Sequence, residues 1–119
     1  MVRIESSTTN IPEDDWDGFL QTFSRDHRGW LVRIETHDFE TDEDVVSRET
    51  PLDAIELDLE DEKRPRINLV VHSGNKVIKH ILFLPSLVAL RSSDKDPEKS
   101  LHIRTLNTHT TIRLRPSAP

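Results

Sequence analysis

The spacing of apolar residues changes once along this chain, and the change divides it into a helical segment and a stranded segment. Before Gly29, apolar residues recur at intervals of three and four, which is the spacing of one helix face. This stripe consists of Trp16, Phe19, Leu20, Phe23 and His27. From Gly29 onward, as in residues 30–35, apolar and polar residues alternate with the two-residue period of a strand. We therefore expect one helix followed by a sheet.

The ends of the helix are marked by residues that favour helix termini. Pro12 fits a first turn, and the acidic residues 13–15 favour the positive end of the helix dipole. Gly29 is a suitable left-handed stop.

At 119 residues the chain has the size of one ordinary domain. Within that domain we predict a polar leader over residues 1–10, a helix over residues 11–28 and antiparallel β-structure over residues 29–116.

One turn signal defines the clearest hairpin. Gly74 and Asn75 form a two-residue turn, which places Ser73 opposite Lys76 and Arg66 opposite Phe83. Both faces of this hairpin are largely apolar, so we expect its strands to be central and covered on each side. His80 lies among apolar neighbours, which favours a buried histidine bonded to a backbone carbonyl.

A second hairpin closes the chain between Leu101 and Arg115. A turn near residues 107–108 places Leu101 opposite Leu114 and Ile103 opposite Ile112, on an apolar inner face. The outer face is basic, and arginine is the side chain that best grips phosphates and carboxylates. We therefore take four residues of this face as candidate anion- or partner-binding residues: His102, Arg104, Arg113 and Arg115.

These segments together predict an α+β fold that is mainly β. One N-terminal amphipathic helix packs on a strongly curved antiparallel sheet, or on a small barrel, of six to eight strands. Helix-then-barrel order is shared with Sm-like RNA-binding proteins, but an analogy of fold assigns no function.

Charge is distributed unevenly along the sequence. Residues 1–62 hold 19 acidic and 5 basic residues, whereas residues 63–119 hold 3 acidic and 11 basic residues. Two interpretations follow. Acidic and basic strands lie side by side in one sheet, where opposite charges stabilise the pairing, or a basic face receives an anion or an acidic partner.

Several classes of chemistry find no support in the residues. The chain has no cysteine, which removes disulfides, thiolate zinc sites and cysteine nucleophiles. Its six histidines show no HxxxH or HExxH spacing, and three scattered glycines cannot form a phosphate-binding loop. The acidic residues 38–44 lack the glycine of a calcium loop and read as a solvated loop. We expect no catalytic residues, no metal and no cofactor, and hence no enzyme.

The remaining expectations concern partners and location. The apolar hairpin cannot be covered by one helix alone, so we predict a non-catalytic protein-interaction module that associates with itself as a homodimer. The alternative is an anion or RNA binder that uses the basic hairpin, with an acidic protein or a polyanion as partner. Nucleic acid is disfavoured by the net charge of −6. Met1–Asn10 has no signal-like apolar run, no stretch is long enough to span a membrane, and the absence of cysteine favours the cytoplasm.

One segment resembles a known family. The run from Ile11 to Val32, IPEDDWDGFLQTFSRDHRGWLV, resembles the start of an uncharacterised family of small bacterial proteins, with the pattern IPxxxWxxFLxxFSRxHxGWLV. The likeness extends through Pro51 and Leu52 and over the closing hairpin. The family has no assigned activity or site residues, so the resemblance implies a bacterial source and leaves function open.

Overall fold

The computed structural model describes residues 6–93 and 96–117, which form one α-helix and nine β-strands. A 3-10 turn, Glu13–Asp15, precedes the helix. The elements are β1 (Ser6–Asn10), α1 (Trp16–Asp26), β2 (Leu31–Asp38), β3 (Glu43–Val46), β4 (Thr50–Asp58), β5 (Arg66–Ser73), β6 (Lys76–Phe83), β7 (Leu87–Ser93), β8 (Lys99–Arg104) and β9 (Thr108–Arg115). All pairings between the strands are antiparallel. The expected α+β, mainly β class is confirmed.

The sheet has more strands than expected and does not close. Its order is β1-β7-β8-β9-β2-β4-β5-β6, with β3 also paired to β2, so the prediction of six to eight strands was too low. Part of the difference lies in residues 6–10, expected to belong to a polar leader, which pair with β7. In the described part of the chain β1 and β6 are not paired with each other, and the barrel alternative is therefore wrong. Residues 1–5 of the predicted leader lie outside the described ranges.

The helix is shorter than predicted and ends as its sequence suggested. The α-helical part spans Trp16–Asp26 instead of residues 11–28, since the acidic residues before it form the 3-10 turn. The indole Nε1 of Trp16 donates to the carbonyl of Ile11 at 2.8 Å, which fixes the incoming chain. Gly29 has a φ of +85°, the left-handed conformation that glycine adopts without strain.

The core lies between the helix and two parts of the sheet. β2 and β4 are joined by only two residue pairs, so β4, β5 and β6 diverge from the other strands. A bulge between Leu52 and Ala54 lets both Leu52 and Ile55 point inward. Fifteen buried side chains form one cluster, including Leu20 and Phe23 from the helix.

No helix in the described ranges is long and apolar enough to cross a bilayer.

The buried histidine of this core is His27, at 6% exposure. Its ring stacks on Phe23 at 4.1 Å and meets the edge of Trp30 at 4.6 Å. Lys99 Nζ lies 2.8 Å from Nε2 of His27, and an ammonium group can only donate, so Nε2 is the acceptor. The ring proton of His27 is therefore on Nδ1, which donates to the carbonyl of Phe23 at 2.7 Å. Burial lowers the pKa of His27, and the nearby charge of Lys99 lowers it further. His80, which was predicted to be a buried histidine bonded to a backbone carbonyl, is only half-buried.

Both predicted hairpins form, one in the predicted register and one shifted. Ser73 is opposite Lys76 and Arg66 opposite Phe83, as the two-residue turn required. In the closing hairpin Leu101 is opposite Ile112, not Leu114, and the turn residues are 106 and 107. A shift of two residues on one strand leaves each side chain on its predicted face, because side chains alternate with a period of two.

Candidate functional site

The four residues predicted to bind an anion lie on one face of the sheet. His102 and Arg104 are on β8, and Arg113 and Arg115 are on β9, all with side chains on the face away from the core. His102 is opposite Thr111 and Arg104 is opposite His109. Because side chains alternate between the two faces of a strand, all four lie on the outer face predicted from the sequence. Whether the four act together depends on which of them already have partners.

Arg113 and Arg115 are both held by carboxylates from the acidic half of the chain. Arg113 Nε donates to both oxygens of Glu35, at 2.9 and 3.1 Å. Arg115 donates to Glu49 through Nε at 2.6 Å and Nη2 at 2.9 Å. The hydrogen bonds from Arg115 lower the pKa of Glu49, and the same contact raises the pKa of Arg115. These pairs match the first interpretation of the charge split, in which acidic and basic strands are neighbours.

The histidines of this face belong to a row of hydrogen bonds that runs along β8 and crosses to β9. His102 Nδ1 lies 3.2 Å from His109 Nε2, and Ser100 Oγ lies 3.0 Å from His102 Nε2. Burial is the main cause that lowers the pKa of both histidines. Neighbouring groups lower it further: His109 and then Arg113 for His102, and Arg104 for His109. The lowered pKa of both rings favours their neutral form, which adds no charge for an anion.

Ser100 and His102 of this row both line a cleft. Ser100 is only 7% exposed, and its hydroxyl is packed beside the histidine ring. Within residues 6–93 and 96–117, no group of three or more histidine, aspartate or glutamate side chains is arranged to hold a metal ion. We read the row as cross-strand packing.

Two arginines of this face have no carboxylate partner among the described residues, so their charge can act on an anion. Among the described residues, no carboxylate lies within 4.0 Å of Arg91 or Arg104. The guanidinium of Arg104 lies over the ring of Phe39, 5.6 Å from its centre. Arg91 lines a cleft of about 200 Å³ together with Arg113 and His102, but Asp96 and Glu98 line it too. The anion-binding capacity of the face therefore depends on Arg91 and Arg104.

A different surface is exposed at the opposite end of the sheet, on strand β6. The hairpin of β5 and β6 was expected to be central and covered on both sides, and this is correct only for β5. β6 is the last strand of the sheet order, and no described strand pairs with its outer edge. Four of its apolar side chains are therefore exposed: Val77 at 60%, Ile78 at 39%, Ile81 at 41% and Phe83 at 52%.

The backbone phase of β6 identifies which residues face the free edge. In an antiparallel pair, hydrogen-bonded residue pairs alternate with non-hydrogen-bonded ones. Leu84 donates its backbone N–H to the carbonyl of Pro65 at 2.9 Å, so the even-numbered residues of β6 bond inward to β5. The N–H and C=O groups that point outward belong to the odd-numbered residues: Val77, Lys79, Ile81 and Phe83.

A groove of about 450 Å³ runs beside this edge, between β6 and the turn that joins β8 to β9. Leu106, at the tip of that turn, is 81% exposed, and His80 and Phe83 line the other wall. None of the described residues that line the groove is acidic, and the sequence of residues 63–93 contains no acidic residue. The sequence contains one signal that would have predicted an edge strand. Lys76 and Lys79 interrupt an otherwise apolar strand, and lysines are common on edge strands.

Comparisons with known proteins add no family to this description. No protein-family model, no curated protein and no solved structure matches the chain. The resemblance of residues 11–32 to a family of small bacterial proteins thus stays a prediction. Two surfaces of the described chain are candidates for function: the free edge of β6 and the basic face of β8 and β9.

Proposed function

We propose that this protein is a non-catalytic protein-interaction module that associates with itself through the edge of strand β6. One observation carries the proposal. Of the ten large apolar side chains that are exposed in the described ranges, five lie within residues 77–84. Scattered apolar residues are normal on a protein surface, whereas exposed apolar residues concentrated along one edge strand favour an interface.

The physical basis is the combination of apolar side chains with free backbone groups. An exposed strand edge presents a row of N–H and C=O groups that another strand can pair with, and natural proteins protect such edges unless they are used. β6 has only two lysines as protection, and apolar side chains stand on both of its faces. Its composition therefore suits strand addition.

Light scattering tests the proposal directly. At micromolar concentration the protein should have twice the monomer mass, and the double variant Val77→Lys, Phe83→Lys should have the monomer mass. Val45→Lys, Val46→Lys is the matched control, because these valines are also exposed on a strand, at 66% and 59%, but lie on β3. A wild-type mass that stays monomeric up to high concentration, or equal behaviour of the two double variants, would contradict the proposal.

A second candidate function is binding of a polyanion or an acidic protein to the basic face, and the free charges of Arg91 and Arg104 favour it. Heparin should then raise the melting temperature, and added salt should abolish the effect because the attraction is electrostatic. Arg91→Ala, Arg104→Ala should remove the shift, whereas Arg25→Ala, Arg48→Ala should keep it. An unchanged melting temperature in heparin at low salt excludes this function.

The location and source remain proposals as well. The cysteine-free composition favours a reducing compartment such as the cytoplasm. The resemblance of residues 11–32 favours a bacterial source.

A further inference from the structure

We infer that the occupant of the free edge is strand β6 of a second copy, paired antiparallel about a two-fold axis that passes beside His80. In this arrangement Val77 lies opposite the second copy's Phe83, and Lys79 lies opposite its Ile81. The inference rests on the proposed function, since it specifies how the chain would associate with itself.

The backbone groups select this register among its neighbours. It pairs all four outward-facing residues of each copy with one another, so every outward N–H meets a C=O. A shift of two residues in one direction places Val77 opposite Pro85, which has no N–H to donate. A shift in the other direction places Phe83 opposite Asn75, which belongs to the turn. Only the central register uses the whole edge.

The side chains agree with the same register. Strand β6 reads similarly in both directions from His80, with apolar residues at positions 77 and 78 on one side and at 82 and 83 on the other. Val77 would therefore pack on Phe83, and Ile78 on Leu82, as cross-strand pairs. Such pairs of apolar side chains are the stabilising unit of a sheet. A two-fold axis requires a self-complementary surface of this kind.

The lysines disfavour one of the two shifted alternatives. In the central register Lys79 lies opposite an isoleucine and Lys76 lies opposite Leu84, so no lysine faces another directly. The shift that brings Asn75 into the pairing would place Lys79 opposite the second copy's Lys79, and like charges directly opposite are destabilising. Because the contact is limited to one strand edge of each copy, the interface falls at the small end of specific ones, which suits a dimer of modest affinity.

A single cysteine tests the register, because the natural chain contains none. Residues on the axis form a non-hydrogen-bonded pair with Cα atoms about 4.5 Å apart, which is within disulfide range. His80→Cys should therefore give a covalent dimer under mild oxidation, seen on a non-reducing gel. Lys76→Cys is the control, because the two copies of position 76 lie roughly 25 Å apart in this register, and it should remain monomeric on the gel.

A charge exchange provides a second, independent measurement. Ile81→Lys places a lysine opposite Lys79 of the other copy, twice in each dimer, and should weaken association roughly tenfold. Adding Lys79→Glu to that variant turns both contacts into opposite-charge pairs and should restore the association. In either shifted register the added glutamate does not face position 81, so no restoration follows.

The outcomes separate the register from the proposed function. A dimer by light scattering that neither cross-links through position 80 nor responds to the charge exchange overturns the register and leaves self-association standing. A protein that is monomeric at all concentrations overturns both. A monomer that binds a synthetic alternating glutamate–valine peptide, with the binding lost in Val77→Lys, Phe83→Lys, assigns the edge to an acidic partner protein instead of a second copy.

Discussion

Replacing Phe23 with alanine should lower the free energy of unfolding by about 3–5 kcal/mol. The side chain is 4% exposed and belongs to the central apolar cluster. Its ring stacks on Phe19 at 5.5 Å and on His27 at 4.1 Å, so its removal leaves a cavity between the helix and the sheet. A small domain has only about 5–15 kcal/mol of stability, so this loss is a large fraction of the total. Urea denaturation measures the change through the midpoint of unfolding.

Phe19 provides the comparison for this prediction. It lies on the same helical stripe and was expected to be buried like Phe23, but it is only partly buried at the border of the core. Phe19→Ala should therefore destabilise the protein clearly less than Phe23→Ala, since less apolar surface returns to water. Equal shifts of the two midpoints would mean that the helix packs on the sheet through a different face.

Local patterns in the sequence were sufficient for the features that depend on near neighbours. The stripe from Trp16 to His27 gave the helix and its buried face, and Gly29 gave its end. The turn at residues 74 and 75 gave the register of the hairpin, since a two-residue loop leaves no freedom in the pairing. In each case the decisive residues are close together in the chain.

Pairing between distant segments could not be read in the same way. The pattern of β6 is as apolar as that of a central strand, and only the absence of a neighbour beyond it exposes Val77 and Phe83. Residues 6–10 are all polar, yet they form a strand because β7 has a free edge at that point. The two-residue shift in the closing hairpin was invisible because it keeps every side chain on its face.

The candidate anion-binding residues were also predictable only as far as local patterns reach. Alternation correctly placed His102, Arg104, Arg113 and Arg115 on one outer face. The sequence did not reveal that β9 would lie beside β2, so that Glu35 and Glu49 neutralise the two arginines of β9. The uneven charge of the two halves suggested such pairing in general, but the partners depend on strand order.

Another contact that the pattern did not reveal joins the helix to β4 through Ser24. This side chain is 6% exposed. Its hydroxyl donates to the carbonyl of Ile55 at 2.9 Å and accepts the backbone N–H of the same residue at 2.8 Å. β4 is paired with β2 at Thr50 and Pro51, and beyond that point no strand in the described ranges lies beside its inner edge. Ser24 takes the place of the missing strand for one residue.

Ser24→Ala should therefore cost on the order of 2–4 kcal/mol, because it leaves both a buried N–H and a buried C=O of Ile55 without a partner. Thr22→Ala is the matched control, since Thr22 is exposed on the same helix and its loss should change stability by no more than about 0.5 kcal/mol. Hydrogen exchange locates the effect, because the amide of Ile55 should lose more protection than that of Leu69 on β5, which stays paired. Retention of both the denaturation midpoint and the protection of Ile55 would show that the hydroxyl does not hold this edge.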